Sequence, residues 1–237
     1  PNSYLFDVVR VSGGTLHTYC FHGPCKDDAY AVNVLERRPV GELDAASQEY
    51  LRRFPRPERA FGGVAPETVV ATWRYPRAPE SNAANGCEQH MAMFPWSDAV
   101  PRKFTRLHLL GQAGAQVLGG YYYCRAGDYG FDNLYVQRRG AAGMESVFPA
   151  VIEPYSGEPF LRSNRLLDVA ANEADALRAV AVEVRTANGR TDLLFADGRP
   201  ERERRVEGLA VAGEFASFST DGEGLRAATL SGGTRLA

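Results

Sequence analysis

An all-β fold, a large antiparallel β-sandwich, is what this sequence predicts, and three observations carry the prediction. Alternation of apolar and polar residues with period two recurs along most of the 237 residues, which is the pattern of half-buried strands. Gly, Pro and Asn turn signals separate these runs at about the 8–12-residue spacing of antiparallel sandwiches. Only residues 43–54, LDAASQEYLRRF, carry helical periodicity, with Leu43, Ala46, Tyr50 and Phe54 on one face, so one short surface helix is expected.

The elements follow in order. Residues 4–11, YLFDVVRV, and 15–22, TLHTYCFH, flank Gly13-Gly14 and predict a hairpin. After the helix, RPERAFGGVAPE reads as a Pro and Gly loop, and 76–86 as a second loose segment. Strand-like runs cover 67–75, 87–94, 104–110, 115–124, 131–138, 160–169, 206–218 and 224–230. Residues 144–152 place Met144, Phe148, Ala150 and Ile152 on one face and Val147 and Val151 on the other, which predicts a central strand covered on both sides. In 180–196, Val180, Val182 and Val184 alternate with Ala181, Glu183 and Arg185, and Asn188-Gly189 predicts a type I′ turn before TDLLFA returns. Residues 1–165 are assigned to the main sandwich, its first strands expected to lie upstream, and 166–237 to a smaller C-terminal sheet region, either separate from the first or continuous with it.

A net charge of −2 with 44% hydrophobic and 24% charged residues excludes disorder, collagen and coiled coil. No run approaches the roughly 18 apolar residues of a membrane-spanning helix. The chain opens at Pro1 without a signal-like segment, and the expectation is a processed product or the downstream part of a longer protein. Of 27 basic residues only Lys26 and Lys103 are lysines. High genomic GC content accounts for such a bias, and an anionic ligand is compatible with it, because guanidinium pairs bidentately with carboxylate, phosphate or sulfate. Charges of both signs are well mixed, so nucleic acid is not expected as a partner.

Four groups could carry chemistry. His17, Cys20, His22 and Cys25 bring metal-ligating types close together, but alternation puts Cys20 and His22 on one face and His17 on the other, short of the three or four ligands zinc needs. The bland alternative is a buried Cys20 beside a hydrogen-bonded His22. His90 shares a strand face with Glu88, a pairing that suits an oriented base or a plain surface contact. His108 sits between Leu107 and Leu109 and is expected to face solvent. Residues 119–139 concentrate Tyr121, Tyr122, Tyr123 and Tyr129 with Arg125, Arg138 and Arg139. Rings and guanidinium groups together suit sugars with acidic substituents, so Tyr122, Arg125 and Tyr129, with Trp73 beside Arg74 and Tyr75, are the candidate substrate-binding residues; cross-strand packing with solvated arginines is the competing account. No phosphate-binding glycine loop, nucleophile elbow or HExxH motif occurs.

Three stretches carry a family likeness. YLFDVVRVSGGTLHTYCFHGP (4–24), MESVFPAVIEPYSGEPFLRSNRLL (144–167) and VAVEVRTANGRTDLLFADG (180–198) resemble the C-terminal β-rich region of bacterial heparinase II/III-like proteins, and the similarity runs across essentially the whole chain. The resemblance implies a periplasmic or secreted polysaccharide lyase. In it an N-terminal α/α toroid and a β-sandwich bind an acidic polysaccharide, a glycosaminoglycan or alginate, and cleave it by β-elimination. Most catalytic groups of the family come from the toroid. The sandwich supplies a His and, where a divalent metal such as zinc is present, its ligands from a His-x-His pair and a His-Asn dipeptide. Neither motif occurs in this sequence. No catalytic residue is therefore carried over, His22 and His90 remain weak candidates, no cofactor is assigned, and the isolated chain is expected to be inactive. The alternative is a non-catalytic carbohydrate-binding or scaffold sandwich.

Overall fold

The computed structural model describes residues 3–23, 30–54, 56–75, 101–123 and 130–237. In chain order the strands are β1 (Leu5–Ser12), β2 (Leu16–His22), β3 (Ala31–Val32), β4 (Leu35–Pro39), β5 (Phe61–Val64), β6 (Thr68–Arg74), β7 (Lys103–Leu110), β8 (Gln116–Tyr123) and β9 (Gly130–Arg139). They continue as β10 (Glu145–Ser156), β11 (Leu161–Leu167), β12 (Val180–Thr186), β13 (Thr191–Ala196), β14 (Arg204–Val206), β15 (Leu209–Ala212), β16 (Phe215–Asp221), β17 (Gly224–Ser231) and β18 (Arg235–Leu236). Helix α1 spans Ala45–Leu51. The protein is all-β, an antiparallel sandwich with a small additional sheet. No described helix is long and apolar enough to cross a membrane.

The chain forms two compact units, and both are discontinuous in sequence. The first comprises Pro1–Thr15, Ala141–Val151 and Pro159–Ala237, the second Leu16–Gly140 and Ile152–Glu158. The units interleave along the chain, with β1 and the first part of β10 grouped with residues 159–237. Strand pairing is free to join segments far apart in the chain, and a composition scan along the chain does not register it.

In the second unit two sheets carry the core. One has the order β2-β9-β8-β5-β4, and the other runs from β7 through β6 to β3. Period-two burial in β6 sends Val69, Ala71 and Trp73 inward. Trp73 meets Phe21 at a ring-centroid distance of 5.2 Å and stacks on Tyr30 at 5.1 Å. Its indole nitrogen donates to the Asp132 carbonyl at 2.9 Å, so the one polar atom of this buried ring is satisfied. Helix α1 covers the opposite face of the β8–β9 pair, where Leu51 and Phe54 pack on Leu118 and Tyr135. Asp44 starts the helix by accepting from the Ser47 amide at 3.0 Å. The helix is shorter than the predicted 43–54: Leu43 and Asp44 are extended, Asp44 serving as the cap, and at the other end the Phe54 amide turns back to the Leu51 carbonyl. Gly119 and Gly120 allow rings to lie on both faces of β8: a Cβ on Gly119 would meet the Phe61 ring at 2.1 Å, and one on Gly120 would meet Phe54 at 2.9 Å.

The first unit is built on the sheet β11-β12-β13-β16-β17. One face, with Ala181, Phe195 and Ala216, packs under the small sheet β14-β15-β18 through Val206 and Val211. Strand β1 serves the opposite face: Phe6 meets Phe215 at 6.1 Å, and Arg10 donates to the Ala176, Arg178 and Ala196 carbonyls. Val147, Phe148, Ala150 and Val151 of β10 are wholly buried, as the two-sided apolar pattern requires.

Several local expectations need correction. The β12–β13 hairpin forms, but only Gly189 (φ 85°) adopts a positive φ. The Gly189 amide bonds the Thr186 carbonyl and the Thr186 amide bonds the Arg190 carbonyl, which makes a type I turn with a glycine bulge, the usual three-residue loop. A two-residue turn with both φ positive occurs instead at Glu207 (47°) and Gly208 (84°), between β14 and β15. That turn breaks the single strand expected over 206–218. The segment read as a Pro and Gly loop contains a 3-10 turn, Pro57–Arg59, and strand β5. His108 is buried and not solvent-facing.

Candidate functional site

The site with the most definite chemistry lies in the second unit, at the edges of its two sheets. Strand β4 pairs with β5, Pro39 opposite Phe61 and Arg38 opposite Gly62, with an irregularity between Leu35 and Arg38 where Glu36 takes φ 48°. An extra residue at a bulge re-aims the side chains that follow it. Here Arg37 lies over the Phe61 ring, its guanidinium carbon 3.8 Å from the centroid. Tyr30 stands just before edge strand β3, its ring 6.2 Å from Phe61. The 3-10 turn before β5 supplies Arg59, which pairs with Asp132 of β9 and also lies 4.7 Å from the Tyr121 ring centroid. Together with Arg38 these residues line an open cleft of about 440 Å³.

The cleft carries charges of both signs, with Glu58 also in its lining, and its polar groups differ in how far they are paired. Arg59 and Asp132 neutralise each other, and Arg38 is held by Glu36 at 2.6 Å in an exposed pair of little energetic weight. Arg37 pairs with no carboxylate among the described residues and rests on the Phe61 ring. The Tyr30 hydroxyl is shielded from solvent and has no hydrogen-bond partner. Burial, reinforced by the nearby Asp132 and opposed by Arg37, raises the Tyr30 phenol well above its ordinary value, so it stays protonated and able to donate. A guanidinium and a phenol, both unspent donors, are the complement of an anion.

The residues singled out in the sequence are mostly elsewhere. Trp73 is wholly buried in the core, with no face left open to a ligand. Tyr122 is exposed, but it stands on the helix side of the sheet, edge-on to Phe54 at 6.3 Å. Arg138 is tied to the Gly111 carbonyl at 2.6 Å and to Gln112. Arg125, Tyr129, His90, Glu88 and Cys25 lie outside the described residues. His17 is buried on the face opposite Cys20 and His22, as alternation predicts; Cys20 is exposed and not buried, and the His22 Nδ1 lies 2.9 Å from the next carbonyl, that of Gly23. No group of three or more His, Cys, Asp or Glu among the described residues is arranged to hold a metal.

Two arrangements had no clear sequence signal. Glu153, wholly buried, pairs with Arg106 at 2.5 Å and has the His108 Nε2 at 3.8 Å, beyond hydrogen-bond reach. Burial lowers the His108 pKa and outweighs the carboxylate beside it. The Arg37 cleft draws on ERRP (36–39) and RPER (56–59), two basic, proline-bearing segments on either side of α1 that nothing in the sequence links. Only the β4–β5 pairing brings them together.

No protein-family model matches this sequence, and no curated protein matches it at a significant level.

Proposed function

We propose that this chain holds an acidic polysaccharide, a glycosaminoglycan or alginate, in the Arg37 cleft. In this reading it is the β-region of a heparinase II/III-like lyase, and an N-terminal α/α toroid of the same parent chain completes the β-elimination. The observation that carries the binding role is the pair of unspent donors, the Arg37 guanidinium and the buried Tyr30 hydroxyl, in a cleft of about 440 Å³. A uronate carboxylate or a sulfate accepts from both. Drawing charge off a uronate carboxylate is also the first requirement of elimination, because it acidifies the C5 proton. The base and the acid belong, in this reading, to the toroid, and the three sequence stretches resembling the family supply the link to it.

Calorimetric titration of the chain with a heparin hexasaccharide and an alginate hexamer tests the reading. Arg37→Ala is expected to weaken binding about ten- to hundredfold, the worth of hydrogen bonds to a charged group. Tyr30→Phe is expected to weaken it about three- to tenfold with no loss of thermal stability, since it removes a hydroxyl that has no partner in the free protein. Undiminished affinity in both variants removes the cleft as the binding site. Unsaturated-uronate absorbance generated by the chain alone contradicts the part given to the toroid.

A further inference from the structure

We propose that the first unit carries a second binding site, for a neutral sugar ring, with the Asp192 carboxylate as its fixed hydrogen-bond acceptor. The site is an open pocket of about 440 Å³ where the start of β1 meets β13 and β16. Asp192, on β13, is flanked in register by Val184 on β12 and Ser219 on β16. It is 2% exposed, and its two oxygens are treated very differently. Oδ2 accepts from the Tyr4 hydroxyl at 2.5 Å and from Arg190 at 2.9 and 3.0 Å. Oδ1 is buried and accepts from nothing.

A buried carboxylate oxygen with no donor is unfavourable, and Asp192 lines the pocket, so a ligand donor group that reaches Oδ1 corrects the deficit. The surroundings decide which donor. Arg190 already neutralises the carboxylate and itself lines the pocket, which disfavours an ammonium group or a metal cation. An anion would meet the bare Oδ1. What remains is an uncharged donor, a hydroxyl. Ser217 and Ser219 present two further hydroxyls from β16, while Phe6 and Phe215 supply apolar surface beside them. Hydroxyls at the edge and an apolar face are what a pyranose ring presents. This site shares no residue with the Arg37 cleft and takes a ligand of different charge.

The test is titration of the isotopically labelled chain with maltohexaose, a mannohexaose and a galacto-oligosaccharide, followed through backbone amide signals. At least one sugar is expected to give saturable shifts centred on Asp192, Ser217 and Ser219. Asp192→Asn, which offers a single acceptor that Tyr4 and Arg190 already claim, and Ser217→Leu, which fills the pocket from a half-buried position, should each weaken that binding about tenfold or more. Arg37→Ala should leave it unchanged. Saturable shifts centred elsewhere, binding undiminished in Ser217→Leu, or no saturable shifts with any of the three sugars overturns the proposal. Because the acidic oligosaccharides are read separately through Arg37, failure here is distinct from failure of the cleft.

Discussion

The cleft beside Arg37 and the pocket beside Asp192 have the same volume, about 440 Å³ each, and opposite deficiencies. In the cleft two donors are left over, an unmatched guanidinium and a buried hydroxyl, beside the exposed Glu58 carboxylate at its rim. In the pocket the group left over is an acceptor, one oxygen of a carboxylate whose charge Arg190 already balances. Counting charged residues around each would suggest similar mixed surfaces. Accounting for each polar atom separates them, because desolvation acts on atoms and not on residue types. Much of the arginine excess is likewise spent on structure: Arg204 is buried between Asp197 at 2.7 Å and Glu173 at 2.6 Å, Arg199 pairs with Asp175 at 2.5 Å, and Arg10 binds three carbonyls. Arg37 is set apart by its place: it pairs with no carboxylate among the described residues and lies over the Phe61 ring in the cleft.

The largest effect that can break the comparison is expected from Trp73→Ala. Removing this wholly buried ring should destabilise the protein by about 3–5 kcal/mol. It also removes the support of the Tyr30 ring, so the acidic ligand should be lost while the neutral sugar is retained below the melting transition. Chemical denaturation measures the first and titration the second; a loss under about 1 kcal/mol would mean Trp73 does not organise the cleft. Next in size is the response to salt. Raising ionic strength from about 0.05 M to about 0.5 M shortens the screening length roughly threefold and should weaken the acidic oligosaccharide about tenfold, with the neutral sugar changed by less than about twofold. Equal salt dependence of the two ligands would remove the distinction drawn between the sites.

The smallest effect concerns Asp44, which caps the helix of the second unit. The Ser47 hydroxyl and amide, with Gln116, hold its carboxyl down at about 2. Its folded-state pKa lies below the ordinary value of about 3.9, so its contribution is complete above about pH 4 and disappears as pH falls through about 2. Asp44→Ala should cost about 0.5–2 kcal/mol at neutral pH. The gap between variant and parent should close in acid, and a gap independent of pH would assign the loss to packing instead.

Strand content was legible in the sequence because side-chain alternation is local. Val180, Val182 and Val184 could be assigned to one face without knowing what covers them, and the two apolar faces of 144–152 announced a strand buried on both sides. Phe61–Val64 was hidden by its glycines, which carry no side chain to alternate. Turn type was only half legible: Asn188-Gly189 marked a hairpin but not its geometry, and Glu207-Gly208 formed the primed turn without the usual Asn or Asp. Tyr122 stands out in the sequence for the density of rings and guanidinium groups along 119–139, a one-dimensional measure blind to which face a residue takes.

The sequence by itself determined the secondary structure class, the position of the helix and the faces of most strands, because each depends on residues a few positions apart. Tertiary structure alone decided where the ligand chemistry lies. Arg37 meets Phe61 and Tyr30 through the pairing of β4 with β5 across the intervening helix, and Tyr4 reaches Asp192 across 188 residues. Whether a guanidinium or a carboxylate oxygen is left unmatched depends on every neighbour it acquires on folding, and those neighbours come from segments that strand pairing, not chain order, brings together.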